Sequence, residues 1–141
     1  MRRTESREAA LALLFERFAR RDEDAEKLYS TSVILREQKT SEYMRELYFG
    51  VCDKCDFLDW KIEGASRGWS MERMSAMTAA ILRLSAYELY FENDMPARVI
   101  INEAVELAKT YDAVSSPSFV NGVLGKLASD AEAYKSEVEP V

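Results

Sequence analysis

The segment MTAAILRLSAYELYF, residues 77–91, decides the fold because it is apolar on nearly every face of a helix. A helix that is hydrophobic all round is buried, whereas a surface helix shows only an apolar stripe. The segment is shorter than the run of about 20 apolar residues needed to cross a bilayer. We therefore predict that residues 77–91 form a buried central helix of a water-exposed protein.

Two charged residues, Arg83 and Glu88, interrupt this central helix. An unpaired charge in the interior is costly, so each side chain needs a partner. Being five positions apart, they do not share a face closely enough to satisfy each other. We expect each to tie the central helix to another helix, with Asn102 and Glu103 as candidate partners. Contact with another molecule is the alternative.

Apolar residues spaced by three and four positions predict further helices on both sides of the central one. Since the chain holds only three prolines and five glycines in 141 residues, we predict a single all-α domain over residues 1–141. The predicted elements are a helix from about Thr4 to Arg20, a second near Ala25–Leu35, a long helix from Met44 to about Gly64, a short turn from Ser70 to Met74, a helix over 98–111, a last helix from Ser116, and a frayed tail from about 131 to 141.

The composition is that of an ordinary globular protein, with 48% apolar and 31% charged residues. The start, MRRTESREAALALLFERF, places basic residues before an apolar patch. Glutamates interrupt that patch and no small-residue cleavage site follows, so it does not have the features of a signal peptide. We expect a cytoplasmic protein that does not bind membranes.

Charge is distributed unevenly along the chain. The net charge is −6, yet residues 1–21 carry six arginines and three glutamates, a local charge of +3. A basic leading segment on an acidic body is typical of a phosphate-binding arm. It is equally typical of a solvated helix face, and charge alone does not separate the two interpretations.

The residue types that most often perform catalysis and bind metals are scarce. There is no histidine, which is the commonest general base and metal ligand. Cys52 and Cys55 form a C-x-x-C pair, but no further Cys or His completes a four-ligand zinc site. We expect the pair inside the long helix, away from an N-terminus that would lower a thiol pKa. We therefore interpret both cysteines as core or near-core thiols, and we expect no catalytic residue, metal or cofactor.

The stretch SSPSFVNGVLGKL, residues 115–127, combines two conflicting signals. Its apolar spacing predicts one face of a helix, which Ser116 and Pro117 are well suited to begin. The dipeptide Asn121-Gly122, however, is typical of hairpin turns. A helical glycine costs about 1 kcal/mol relative to alanine. It is therefore expected where either a neighbouring helix or a bound ligand approaches the backbone closely.

Four blocks occur in order along the chain: SREAALALLF at 6–15, AAILRLSAYEL at 79–89, INEAVELAKTY at 101–111 and SPSFVNGVL at 116–124. Together they resemble the bacterial transcription antitermination factor NusB family, from Arg3 to about Ala128. The same helical fold also occurs as the N-terminal domain of a ribosomal RNA cytosine methyltransferase, but no cofactor-binding motif is present here. The NusB family is the better match.

The resemblance implies about seven helices in two small packed bundles and a non-enzymatic role. It implies pairing with ribosomal protein ten of the small subunit, called NusE in transcription, and binding of boxA-type single-stranded RNA. It also implies association with the elongating RNA polymerase complex in support of ribosomal RNA transcription. Some relatives self-associate, so a homodimer is a further possibility.

The resemblance also implies particular site residues. Arg3 and Arg7 match arginines of the family and Arg2 adds to them, whereas Thr4 and Glu5 stand where relatives often carry further arginines. Phe119 is placed where an aromatic ring stacks on an unpaired base, with a position in the apolar core as the alternative. Asn121 offers an amide either to RNA or to a neighbouring helix end. On the protein-binding side, Phe15 matches an aromatic position, and Thr78 replaces an acidic residue of some relatives.

Two other functions compete with RNA binding. The first is a purely structural helical protein–protein adaptor whose arginines are only a solvated face. The second is a thiol enzyme built on the C-x-x-C pair, for which replacement of both cysteines by serine would abolish function.

Overall fold

A computed structural model describes residues 1–138, which form seven α-helices and one short 3₁₀ turn. The helices are α1 Arg3–Ala19, α2 Ala25–Leu35, α3 Glu42–Asp53, α4 Cys55–Ala65, α5 Ala76–Phe91, α6 Ala97–Tyr111 and α7 Ser116–Val138, and the 3₁₀ turn is Met71–Arg73. The all-α prediction is therefore confirmed. Within residues 1–138, no helix is long and apolar enough to cross a membrane.

The helix starts follow from local polar residues. Asp24, Ser41 and Ser75 precede α2, α3 and α5, and each side chain accepts a hydrogen bond from the backbone N–H three residues later, at 3.0, 3.0 and 3.1 Å. Such caps satisfy one of the unpaired N–H groups of the first turn and contribute about 1 kcal/mol each.

Helix α5 lies at the centre of the molecule and contacts α1, α3, α4, α6 and α7. Ile81, Leu82 and Leu84 on α5 are fully buried, which confirms the prediction of a buried central helix. Helices α1, α2 and α3 pack as one small bundle on one side of α5. Helices α4, α6 and α7 pack with α5 as the second bundle.

The two charged residues of α5 are internal ties, as expected. Arg83 donates from Nε and Nη2 to the two carboxylate oxygens of Asp59 on α4, at 2.7 and 3.0 Å. Glu88 accepts from Nε of Arg7 on α1, at 2.9 and 3.0 Å, and from the hydroxyl of Tyr43 on α3. The partners therefore come from α4, α1 and α3, and the expectation that α6 supplies them is wrong. Ion pairs thus connect α5 to helices of both bundles.

The prediction of a single long helix from Met44 to about Gly64 is wrong, because the helix is interrupted at Lys54. The backbone there has φ −100° and ψ 14°, and α3 ends while α4 begins. The apolar stripe is nevertheless continuous, since Val51 and Leu58 on either side of the break are both fully buried. The break lets α3 pack on α1 while α4 turns to pack on α7.

The interruption at Lys54 also gives the C-x-x-C pair a different position from the predicted one. Cys55 is the first residue of α4 rather than an internal residue of a long helix, so its predicted position is wrong. Burial nevertheless raises the pKa of Cys55 to about 11 and also raises the pKa of Cys52. Both thiols are therefore protonated at neutral pH, which does not favour a thiolate nucleophile.

The tail does not fray at residue 131, because α7 continues to Val138. Ala131 is buried, and the ring of Tyr134 packs against Phe57, Tyr90 and Phe91 with centroids 5.2 to 6.1 Å apart. These apolar contacts stabilise the last turns of the helix. The part of the predicted tail at 139–141 lies outside the described residues.

Candidate nucleic-acid and protein interfaces

The two leading arginines lie at the exposed start of α1. The Arg2 side chain is 85% exposed, and its Nε lies 3.0 Å from a carboxylate oxygen of Glu5. Arg3 donates to both carboxylate oxygens of Asp94, in the loop between α5 and α6, and lies 4.6 Å above the ring of Tyr43. Both guanidinium groups remain reachable from solvent, with the Arg3 side chain 41% exposed.

Arg7, one turn further along α1, is placed differently. Its side chain is only 3% exposed and is held by Glu88 inside the protein. Burial raises the pKa of Glu88, an effect that the Arg7 charge and the Tyr43 hydroxyl oppose. Because the guanidinium is enclosed and paired, it does not face an RNA phosphate. We therefore correct the prediction for Arg7 and assign it to the interior.

An exposed aromatic pair marks the start of α7. Phe119 is half-buried, and its ring meets the ring of Trp69 edge to face, with centroids 6.4 Å apart. Trp69 is 47% exposed, and the guanidinium of Arg73 lies 5.0 Å from its ring centroid. Together they line a cleft of about 360 Å³ that opens to solvent. We call Trp69, Arg73 and Phe119 the aromatic cleft.

The chain reaches Trp69 through a tight turn after α4. Arg67 and Gly68 both have positive φ, of 49° and 86°, a backbone region in which glycine is favoured. The turn is closed by the Ser66 hydroxyl, which donates to the Trp69 carbonyl at 2.6 Å. Gly68 therefore reverses the chain and presents Trp69 opposite Phe119.

Asp112 fixes the base of the aromatic cleft. Its carboxylate accepts from the hydroxyls of Ser116 at 2.6 Å and Thr78, and from the backbone N–H of Ala113 at 2.8 Å. Burial acts to raise the pKa of Asp112, but these hydrogen bonds lower it overall. The carboxylate thus joins the end of α6 to the starts of α5 and α7.

Thr78 belongs to this hydrogen-bonded base rather than to an open surface. The residue is 7% exposed, and its hydroxyl also contacts the Ser116 hydroxyl at 3.1 Å. Because its polar group is occupied by Asp112 and Ser116, it does not reach a partner protein. We therefore correct the prediction that Thr78 contacts the partner directly.

The Asn121-Gly122 dipeptide lies in the first two turns of α7 and faces outward. Both residues are exposed, and a Cβ added at Gly122 would meet no heavy atom within 4 Å among the residues described. Close packing of a neighbouring helix is therefore not the reason for this glycine. Asn121 is open to a partner from outside the chain.

The predicted RNA-binding residues form two groups instead of one site. Arg2 and Arg3 lie beside the loop that precedes α6, whereas Phe119 and Asn121 lie just after α6 ends. Thr4, next to Arg3, contacts Glu103 in the middle of α6, and the eight residues from there to the end of α6 at Tyr111 span about 12 Å at 1.5 Å per residue. A ligand that contacts both groups at once therefore extends along α6.

Phe15 lies in a second groove beside the start of α5, and Met74 lines both this groove and the aromatic cleft. The residue is 40% exposed and opens onto a groove of about 660 Å³. The groove walls combine apolar side chains with charged ones of both signs, among them Phe18, Met71, Met74, Arg21, Glu63 and Glu72. An exposed aromatic side chain in a groove with a polar rim has the features of a protein-docking site.

Sequence reasoning missed Trp69 and Arg73, since Trp69 falls between the predicted elements and Arg73 lies within the short turn predicted from Ser70 to Met74. The available signal was a large aromatic residue directly after a glycine in a polar loop. Its proximity to Phe119, which lies 50 positions later, follows only from the packing of α4 against α7.

Within residues 1–138, seven helices pack in two bundles around a buried α5, with the aromatic cleft and the groove beside Phe15 on the surface, and they define an all-helical module. Comparison with known proteins identifies this module. Residues 4–129 match the sequence profile of the NusB family, and the chain belongs to that family.

Individual relatives agree with this assignment. The transcription antitermination protein NusB of Clostridium acetobutylicum is 40% identical over 134 residues, which cover 94% of this chain and 98% of that protein. The structure of T. maritima NusB superposes with a TM-score of 0.83 at 35% identity, covering 92% of each chain. A chain from a crystal structure of antitermination factors NusB and NusE in complex with dsRNA superposes with a TM-score of 0.79 at 26% identity, covering 91% of this chain and 96% of that one.

Proposed function

We propose that this protein is a non-enzymatic, cytoplasmic transcription antitermination factor. It binds boxA-type single-stranded RNA together with small-subunit ribosomal protein ten (NusE) and joins the elongating RNA polymerase complex on ribosomal RNA operons. The names of its relatives support this role, since they include antitermination proteins and a NusB–NusE assembly with RNA.

The observation that carries RNA binding is the aromatic cleft. Trp69 and Phe119 present ring surfaces at the mouth of an open cleft, and Arg73 supplies a positive charge beside them. Single-stranded RNA is recognised mainly by stacking of unpaired bases on aromatic rings and by cations along its backbone. In this proposal a base stacks at the cleft, and the Asn121 amide contacts the neighbouring nucleotide.

Arg2 and Arg3 supply the second part of the RNA contact. The second half of α6, about 12 Å from Glu103 beside Thr4 to Tyr111, separates them from the cleft, and an extended single strand spans that length. Their guanidinium groups neutralise phosphates, which adds affinity without sequence preference. Arg7 contributes only by holding α1 on α5.

The groove beside Phe15 is the proposed site for ribosomal protein ten. An apolar side chain of that protein inserts between Phe15 and Phe18, and the mixed charges of the rim set its orientation. A homodimer formed through the same groove would compete with ribosomal protein ten. The two assemblies are then mutually exclusive.

The proposal is tested by RNA titration with fluorescently labelled boxA RNA, with and without ribosomal protein ten. The parent should bind the RNA more tightly when the ribosomal protein is present. Stacking is worth about 1–3 kcal/mol, so Phe119→Ala should weaken binding about tenfold or more, whereas Phe119→Tyr keeps the flat ring and should bind like the parent.

Val114→Ala is the matched control, because Val114 lies in the same region and is fully exposed. Since Phe119 is half-buried, the unfolding free energy of each variant is measured on the same samples. Parent-like RNA affinity of a folded Phe119→Ala protein would remove the cleft from the RNA site. Absence of RNA binding by the parent under both conditions would instead favour the structural adaptor.

A further inference from the structure

Trp60 is a large aromatic side chain on the surface of α4 that the proposed contacts do not use. It is 65% exposed, more than Trp69 in the cleft. Its ring is nevertheless held in place, because Phe57 meets it edge to face at 6.1 Å and the Lys61 ammonium lies 4.6 Å from its centroid. An indole that is fixed and yet exposed is suited to stacking with a ligand.

Trp60 forms one wall of an open groove of about 320 Å³ between α4 and α7. Lys126 on α7 lines the other side, and Gly64, Ala65 and Leu127 also line the groove. A Cβ added at Gly64 would meet no heavy atom within 4 Å among the residues described. The space above this backbone is therefore open to a ligand.

The groove and the aromatic cleft lie along the same pair of elements, α4 with the turn after it and α7. Helices α4 and α7 pack antiparallel, because Trp69 just beyond α4 meets Phe119 early in α7, whereas Trp60 within α4 lies beside Lys126. Phe119 and Lys126 are seven residues apart, on the same face of α7 and about 10 Å apart along its axis. Trp60 therefore lies about two helical turns from the aromatic cleft, along the surface that α4 and α7 share.

The charges of the groove fit a phosphate backbone. Lys61 is bound to Asp130 at 2.9 Å, which neutralises that carboxylate. Lys126 is exposed and forms no ion pair within residues 1–138. Arg73 supplies a second positive charge, beside Trp69 in the aromatic cleft. Unpaired cations beside exposed aromatic rings are the pattern that binds single-stranded nucleic acid.

We propose that the groove between α4 and α7 carries the RNA strand onward from the aromatic cleft. Trp60 is a second stacking platform, and Lys126 contacts a phosphate between the two platforms. This inference rests on the proposed RNA-binding function and extends it to residues outside the predicted site.

The test uses the two tryptophans of the chain, Trp60 and Trp69. In the full-length variant Trp69→Phe, Trp60 is the only source of indole fluorescence. A single strand of about 12 nucleotides should quench this emission on binding, because a stacked base contacts the indole. A strand of about 4 nucleotides, long enough only for the cleft, should quench it much less.

Affinity measurements on the parent background complete the test. Trp60→Ala should weaken binding of the long strand about tenfold and leave binding of the short strand unchanged, whereas Trp60→Phe should preserve both. Lys126→Ala should reduce the salt dependence of long-strand binding by a slope of about 0.7. Leu35→Ala is the matched control, since Leu35 is also a largely exposed apolar side chain but lies on α2, away from the groove.

The outcomes separate this inference from the proposed function. If Phe119→Ala weakens both strands while Trp60→Ala weakens neither, the groove inference fails and the cleft remains. If the parent binds neither strand, both fail. If Trp60→Ala retains RNA affinity but loses ribosomal protein ten, the groove is a protein contact and the inference is overturned.

Discussion

Two arginines one turn apart on α1 lie in different environments, Arg3 at the surface and Arg7 in the interior. Arg3 is 41% exposed and pairs with Asp94 in a loop, while Arg7 is 3% exposed and pairs with Glu88 on the central helix. Arg83 shows the second pattern again, since it is enclosed and bound to Asp59. The same type of side chain is therefore accessible from solvent in one region and stabilises the fold in the other.

The difference has an energetic consequence. An exposed ion pair is worth about 0–1 kcal/mol because water and salt screen it. Removing one member of a buried pair leaves the other charge without a partner in the interior and costs about 3–5 kcal/mol. Replacing a buried arginine should therefore lower the free energy of unfolding, whereas replacing an exposed arginine should change the affinity for RNA.

The largest effect is expected for Arg7→Ala. The change leaves the carboxylate of Glu88 buried with only the Tyr43 hydroxyl, so the unfolding free energy should fall by about 3–5 kcal/mol. Urea denaturation followed by circular dichroism measures this loss. Arg3→Ala is the matched control and should lose less than about 1 kcal/mol. Equal stability of the two variants would contradict the contrast between the regions.

Arg83→Ala should destabilise the protein somewhat less. Its partner Asp59 is 20% exposed, so water partly solvates the carboxylate left behind, and we expect a loss of about 3 kcal/mol. The loss should be the same with and without ribosomal protein ten. A variant as stable as the parent that no longer binds the ribosomal protein would make Arg83 an interface residue.

Replacing both exposed arginines, Arg2 and Arg3, by alanine should act on RNA rather than on folding. Each lost phosphate contact reduces the slope of log affinity against log salt by about 0.7 for a single strand. Titrations at several salt concentrations measure the slope. Unchanged affinity and slope would show that the start of α1 is only a solvated surface.

The smallest effect is expected from pH, at the end of α5. Burial, followed by the neighbouring Glu46, raises the pKa of Glu92 from its ordinary value of 4.5 to about 7. The folded protein then holds a proton that the unfolded chain releases, so this contribution is complete below pH 4.5 and is lost as the pH rises through 7.

Glu92→Gln should therefore be more stable than the parent at pH 8, by less than about 1 kcal/mol because the group is partly exposed. The two proteins should converge at pH 5. Parallel stability curves over this range would show that Glu92 does not titrate as described.

The elements that sequence reasoning predicted well are those that local spacing determines. The boundaries of α2 agree with the prediction of Ala25–Leu35, and the stripe through Val51 and Leu58 is buried as expected. An apolar stripe identifies the inward face of a helix whatever it packs against. The same stripe does not reveal the break at Lys54, because its spacing continues unchanged across that residue.

The features that were missed depend on residues far apart in the chain. Arg7 and Glu88 are separated by 81 positions, so the sequence around Arg7 does not distinguish a buried arginine from an exposed one. The last turns of α7 gain the contacts of Tyr134 with Phe57 and Tyr90, which are 77 and 44 positions away in the chain. The aromatic cleft was half predicted, since Phe119 was identified and Trp69 was not.

The most direct test of this division between the two kinds of arginine is the RNA affinity of the double variant Arg7→Met, Glu88→Leu. Replacing a buried ion pair by apolar residues of similar volume is often neutral for stability, so the fold is expected to survive. Our account predicts boxA RNA affinity equal to that of the parent, because the aromatic cleft and Arg2 and Arg3 are intact. A folded double variant with strongly reduced RNA affinity would contradict it and return Arg7 to the RNA-binding surface.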